Sequence, residues 1–128
     1  MGFSFLALAA AFTLCGDGPR TNCVVDGDTF WINGVKVRLA DINAPETQQA
    51  ACKEERDLGN RAKDRLVRLL NSGPFDLEVE GRDTDRYGRA LRVAKRNGQS
   101  IGQQLVKEGL AEPWRGRRSD WCIALRGR

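Results

Sequence analysis

The stretch Thr29-Phe30-Trp31-Ile32-Asn33-Gly34-Val35-Lys36-Val37-Arg38-Leu39-Ala40-Asp41-Ile42 decides the fold. Its halves are rich in β-branched and aromatic residues, and the central Asn-Gly suits the positive backbone angles of a two-residue hairpin turn. We expect strands over 29–32 and 35–42, with Pro45 stopping the second. Upstream, 12–15 and 23–25 read as strand pieces around the turn Gly16-Asp17-Gly18-Pro19. Downstream, Leu58, Ala62, Leu66, Leu69 and Leu70 recur at helical spacing. Glu54, Glu55 and Asp57 precede or open that helix, where its dipole favours negative charge, and Gly73-Pro74 ends it.

Phe75, Leu77 and Val79 alternate with polar residues as a half-buried strand, and 90–94 reads as another, closed by Asn97-Gly98. Ser100 with Gln103 forms a capping box for a short helix bearing Ile101, Leu105 and Val106, ended by Gly109. From Pro113 the tail reads as irregular, packed down by Trp114 and Trp121. The order is three strands, a helix, two strands, a helix. This is a mainly β, α+β pattern. Five strands, with one helix between strands 3 and 4 and a second short helix after strand 5, fit a small closed barrel of the oligonucleotide-binding (OB-fold) type.

The chain has 128 residues, enough for one domain with a real core. We assign 12–128 to that domain. The net charge is +4, and five arginines (115, 117, 118, 126 and 128) crowd the C-terminal segment against the single acid Asp120. That patch suits an anionic partner such as nucleic acid, or serves as a solvated tail. There are 0 histidines, which excludes histidine-based catalysis and histidine metal sites.

Residues 1–11 carry no charge and resemble the apolar part of a secretory signal ending in Ala9-Ala10-Ala11, although the basic start of such signals is lacking. The run is shorter than the ~20 residues of a membrane helix, so no membrane association is expected after processing. Secretion or periplasmic export is expected. The 4 cysteines, with no Cys-x-x-Cys pair, allow three disulfide pairings. We expect Cys15–Cys23 across a local hairpin and Cys52–Cys122 across most of the domain; the alternative is four free thiols. Loop-closure entropy would make the long bridge worth about 4 kcal/mol and the short one about 2–3 kcal/mol.

Three segments pair charge with a turn: Asp26-Gly27-Asp28-Thr29, Arg38-Leu39-Ala40-Asp41-Ile42-Asn43-Ala44-Pro45-Glu46, and Asp85-Arg86-Tyr87-Gly88-Arg89. Alone, the first reads more readily as a plain turn, the third as a hairpin turn with a surface ion pair, and Glu46 after Pro45 as the start of a helical turn. Together they offer carboxylates for a hard cation, two arginines for a phosphate and a glutamate able to move a proton. Arg38 inside an apolar strand is the hardest to dismiss, because a charge there needs a partner.

On these three motifs, in this order and spacing, the chain resembles the staphylococcal-type thermonucleases over about residues 23–111. The resemblance implies an oligonucleotide-binding barrel and metal (calcium)-dependent hydrolysis of DNA or RNA with low sequence specificity. It implies Arg38 and Arg89 as catalytic arginines, Glu46 as general base, and calcium on Asp28 and the Ala44 carbonyl, with Asp26 nearby. Tyr87-Gly88 would present Arg89.

The sequence departs from the family at Asn43, where the family has a second calcium-binding aspartate. An amide oxygen ligates without charge, so weakened calcium binding is expected. Asp41 could share the Asn43 face and restore charge. Arg38 and Asn43 have opposite strand parity, so both reach one site only if the strand ends or bulges between them.

Where the family offers tyrosines after the last helix, this chain has Trp114, Arg115 and Arg117; we expect Trp114 to stack on a base, or to plug the core, and the arginines to grip phosphates. The expected partner is single-stranded or denatured DNA or RNA, bound by a monomer. The alternative is a non-catalytic nucleic-acid-binding module on the same fold, its metal site weakened by Asn43.

Overall fold

The computed structural model describes residues 11–127. The expected signal remnant at 1–11 therefore lies, apart from Ala11, outside the described residues. Within them the chain forms β1 (Thr13–Leu14), β2 (Cys23–Asp26), β3 (Thr29–Ile32), β4 (Val35–Leu39) and β5 (Ile42–Asn43). Helix α1 (Lys53–Asn71) follows, then β6 (Asp76–Glu78), β7 (Ala90–Arg96), β8 (Gln99–Ser100), α2 (Ile101–Lys107), β9 (Glu112–Pro113) and α3 (Trp121–Arg126). The main sheet runs β1-β2-β3-β4-β7-β6, with β8 on β7, and β5 pairs separately with β9. The α+β class is as expected, but the five strands arrive as nine shorter pieces.

The β3–β4 hairpin pairs Ile32 with Val35 and Thr29 with Arg38 across Asn33 (φ 49°) and Gly34 (φ 79°), the left-handed pair that Asn-Gly favours. The expected strand 35–42 is broken. β4 ends at Leu39, the chain turns at Ala40-Asp41, and β5 resumes at Ile42. Because β5 pairs with β9 instead of the main sheet, Arg38 and Asn43 are released from strict alternation. β4 also runs parallel to β7, with Val37 opposite Ala90, which sets Arg89 at the edge of the strand that carries Arg38.

α1 buries Ala62, Leu66, Leu69 and Leu70 as the periodicity predicts, against Val24, Phe30, Val37 and Leu39. Phe12, Phe30 and Phe75 meet with centroids 5.9–6.5 Å apart, in edge-on or tilted packing. Phe12 and Phe30 are buried, and full burial of such a side chain contributes roughly 1.5–3 kcal/mol through removal from water; Phe75 is partly buried.

Both expected disulfides are present, and no described cysteine is free, which removes the alternative of four free thiols. The short bridge does not span a hairpin, however. β1 and β2 pair in parallel, Thr13 beside Cys23, so 15–22 loops back to start β2 alongside β1. The long bridge joins Cys52, at the N-cap of α1, to Cys122 in α3. The tail is not irregular throughout: Asp120 accepts a hydrogen bond from the Ile123 N–H and starts α3, and Trp121 is buried.

Candidate active site

The first charged turn is built by close packing. A Cβ on Gly27 would lie 2.7 Å from the Ala62 Cβ of α1 and 3.0 Å from the Ala44 Cβ. The glycine therefore lets Asp26 and Asp28 sit against the helix; its place in a turn is incidental. Asp28 is buried, and each of its oxygens accepts a hydrogen bond. Its Oδ1 accepts from the Thr29 hydroxyl (2.9 Å) and its Oδ2 from the Ala44 N–H (2.8 Å), with Arg38 Nη2 at 3.6 Å. Asp26 accepts from the Thr47 hydroxyl at 2.7 Å. Burial pushes the Asp26 carboxyl above its ordinary pKa against that hydrogen bond, and the neighbouring Asp28 adds to the rise.

Arg38 is 6% exposed, and it finds the partners such a burial requires. Nη1 donates to the carbonyls of Leu39 and Ile42 that frame the strand break, and Asp28 balances the charge. Burial pulls its pKa below the usual arginine range, with Asp28 opposing; the guanidinium remains charged. The Trp114 ring lies 5.5 Å from its centre, within cation–π range. Trp114 is therefore not a core plug. It is 41% exposed and flanks the arginine, held by its N–H donating to the Asp41 carbonyl.

Glu46 is placed by two features of α1 with no obvious signature in sequence. The Glu55 carboxylate accepts from the Glu46 N–H (3.0 Å) and the Ala51 N–H (3.0 Å), so an acid that reads as a dipole partner instead fixes the backbone of the 46–51 loop. A Cβ on Gly59 would lie 2.5 Å from the Glu46 carbonyl oxygen, so only glycine lets the helix approach so closely. The Glu46 side chain receives Arg118 Nη1 at 2.7 Å. Burial pushes the Glu46 carboxyl above its ordinary pKa and Asp26 adds to this, while Arg118 works against both.

The turn 85–89 is organised by Asp85. Its Oδ1 accepts from the N–H groups of Tyr87 and Arg89, and its Oδ2 holds Arg89 Nε at 2.6 Å. Gly88 supplies φ 81° at the tip. Partial burial opposes ionisation of Asp85, but the Arg89 N–H and guanidinium outweigh it and hold this carboxyl below its usual range. With Nε tied back, the terminal nitrogens of Arg89 are left for the cleft. Tyr87 is 69% exposed, its ring 5.4 Å from the Arg89 guanidinium centre.

Two clefts meet here. One, of about 270 Å³, contains Asp26, Asp28, Glu46 and Lys63; the other, of about 630 Å³, contains Arg38, Arg86, Tyr87 and Trp114. Arg89 and Arg118 line both. The structure thus brings Asp26, Asp28, Arg38, Glu46, Tyr87, Arg89 and Trp114 together. Arg115 turns toward Glu112 (3.5 Å), Arg117 is exposed outside both linings, and Arg118 is the tail arginine at the site. Asp41 does not share the Asn43 face. Its Oδ2 accepts from Ser100 Oγ (2.6 Å) and Gln103 Nε2 (3.2 Å), and it faces the start of α2. Gln103 therefore reaches Asp41 in place of closing the capping box, while Ser100 still caps α2.

The sequence pattern described as "Staphylococcal nuclease homologue" matches residues 36–120, two of the three charged segments and the strand framework around them. The chain belongs to this family. It is 39% identical over 93 residues to "Endonuclease YncB" of Bacillus subtilis (strain 168), covering 68% of this chain and 43% of that protein. It is 35% identical over 105 residues to "Micrococcal nuclease" of Shigella flexneri (72% and 55%). To "Thermonuclease" of Staphylococcus hyicus it is 30% identical over 92 residues (69% and 54%). The chain thus spans about half the length of these relatives.

In this staphylococcal nuclease homologue Asn43 is buried and lines neither cleft. Asn43 Nδ2 donates to Glu112 Oε2 at 3.0 Å, which leaves Asn43 Oδ1 buried with no hydrogen-bond donor. A buried carbonyl oxygen without a partner lacks an electropositive neighbour, and the N–H of the next residue, Ala44, reaches Asp28. Asp28 and Asn43 thus offer oxygens to a hard cation, but only Asp28 offers a negative charge.

Proposed function

We propose that this domain hydrolyses phosphodiester bonds of DNA and RNA with little sequence preference, as a calcium-dependent nuclease. The observation that carries this reading is the meeting of Arg38, Arg89 and Glu46 where the acidic and the arginine–aromatic clefts join. In-line attack forms a bond from a water oxygen to phosphorus while the ester P–O bond breaks. Glu46 takes the proton of that water. The guanidinium groups face the charge that builds on the non-bridging oxygens, which their planar forks match. The departing oxygen takes its proton from solvent. Calcium, held by Asp28, the Asn43 amide oxygen and the Ala44 carbonyl, would supply positive charge beside the phosphate. Tyr87 and Trp114 offer rings for base stacking, which suits single-stranded or denatured substrate. The two disulfides favour a secreted or periplasmic setting. We read the domain as acting as a monomer.

Heat-denatured DNA and RNA incubated with the purified protein should be cut in calcium and left intact in chelator. Tight binding without cutting in calcium would overturn this reading and favour the non-catalytic binding module, which the amide at Asn43 otherwise suggests.

Asn43→Asp tests the metal ligands separately. A carboxylate there adds charge for the cation but also faces Glu112, whose oxygen is 3.0 Å from the present amide nitrogen. The variant should bind calcium more tightly by titration calorimetry and melt lower than the parent in chelator. Unchanged calcium affinity would remove this position from the ligand set.

A further inference from the structure

Arg118 belongs to none of the three motifs that point to phosphate chemistry, yet it sits where the two clefts meet. Its Nη1 donates to Glu46 Oε2 at 2.7 Å, and its side chain is 54% exposed. It lines both clefts, as Arg89 does. The segment that carries it is tied at both ends. Trp114 N–H donates to the Asp41 carbonyl on one side, and Cys122 is bonded to Cys52 on the other. Between these anchors Ser119 donates to Glu112 at 2.6 Å. A long, half-exposed guanidinium is thus delivered across 72 residues of sequence onto the carboxylate that the proposed chemistry requires as a proton acceptor.

We propose that Arg118 is a third phosphate-binding arginine whose salt bridge is exchanged on substrate binding: Glu46 holds it in the free protein, and an incoming backbone phosphate takes it over. The exchange is physically reasonable because both partners are anionic oxygens that a guanidinium can grip, and because Arg118, half-exposed at the cleft, can swing between them. A nucleic-acid strand lying over Arg89 brings phosphates within the same two clefts. Transfer of Arg118 then does two things at once. It adds a backbone contact that carries no sequence information, and it uncovers the Glu46 oxygen that Arg118 occupied. Arg118 is a positioning residue for Glu46 in the free state and a substrate ligand in the complex. This inference rests on the nuclease reading of the same site.

The test uses a fluorescent single-stranded oligothymidylate and the full chain. Affinity is measured in chelator across a range of salt, and cleavage is measured in calcium. Arg118→Ala should weaken binding and raise KM about tenfold, as expected for loss of one charge-assisted hydrogen bond. The slope of log affinity against log salt should become shallower by about 0.7, the contribution of one single-strand phosphate contact. Arg118→Lys should keep the parent slope. Arg126→Ala, which removes an exposed ion pair to Glu54 made from α3, beyond the Cys122 anchor, should match the parent. Glu46→Gln should tighten binding in the parent more than in the Arg118→Ala background, because the exchange no longer has to break a salt bridge.

The inference is overturned if Arg118→Ala leaves affinity and salt slope unchanged, if Arg126→Ala reproduces its loss, or if Glu46→Gln tightens both backgrounds equally. If the parent binds with these dependences but does not cut in calcium, the nuclease reading fails while the phosphate contact stands.

Discussion

Arg89→Lys is expected to lower kcat by about 10²- to 10³-fold while the fold is retained, the range seen when one preorganised donor to a developing oxyanion is removed. The turn that presents Arg89 is built around its Nε, which Asp85 Oδ2 holds at 2.6 Å, so the terminal nitrogens enter the clefts as an oriented fork. Lysine keeps the charge but has neither the fork nor the Nε tether. Charge alone is therefore not expected to rescue turnover. Steady-state rates on denatured DNA, together with a thermal melt close to that of the parent, check the result. Arg38 is a poorer choice for this test. Its Nη1 is committed to the Leu39 and Ile42 carbonyls, and its loss would leave the buried Asp28 without its cation. Breaking a buried pair of that kind destabilises by about 3–5 kcal/mol.

Glu46→Gln is expected to lower kcat more, by about 10²- to 10⁴-fold, the usual contribution of a positioned general base. The glutamine keeps the size of the side chain and can still accept a hydrogen bond from Arg118, and its backbone N–H still reaches Glu55. What disappears is the capacity to take a proton from water. Initial rates at saturating substrate report the loss directly, and an unchanged far-ultraviolet circular dichroism spectrum excludes unfolding as its cause. The two predictions separate by mechanism: the arginine acts on charge at phosphorus, the glutamate on the proton of the nucleophile.

Much of the frame around these residues was legible in the chain because it depends on neighbours in sequence. Asn33-Gly34 specifies the hairpin that places Arg38 beside Thr29, and the apolar spacing of α1 specifies the face that packs on β2. Asp85 and Gly88 define the Arg89 turn within five residues. The misreadings at the site involve contacts between distant segments. Asp41 lies two residues from Asn43, but the turn at 40–41 sends it to Ser100 and Gln103, 59 and 62 residues away. Glu55 reads as a helix-dipole acid, yet its carboxylate fixes the Glu46 loop. Arg118 sits among several tail arginines, and only the Cys52–Cys122 bridge and the β5–β9 pairing show which one meets Glu46. Local periodicity carries no information about such pairings.

The departure at Asn43 is likewise moderated by context that sequence spacing does not reveal. Its amide nitrogen is occupied by Glu112, across the β5–β9 pair, which leaves the oxygen as the available donor. The position keeps an oxygen that a cation could take but carries no charge, which is why metal affinity and catalytic competence have to be measured separately.

The central claim is that the junction of the two clefts performs hydrolysis and does not merely hold nucleic acid. It is tested most directly by following binding and strand scission in the same reactions, with one labelled single-stranded oligonucleotide in calcium, for the parent protein and Glu46→Gln. The account predicts scission by the parent, and a variant that binds at least as tightly but cuts at least about a hundredfold more slowly. Equal cutting by both proteins, or binding without cutting by the parent, would contradict it.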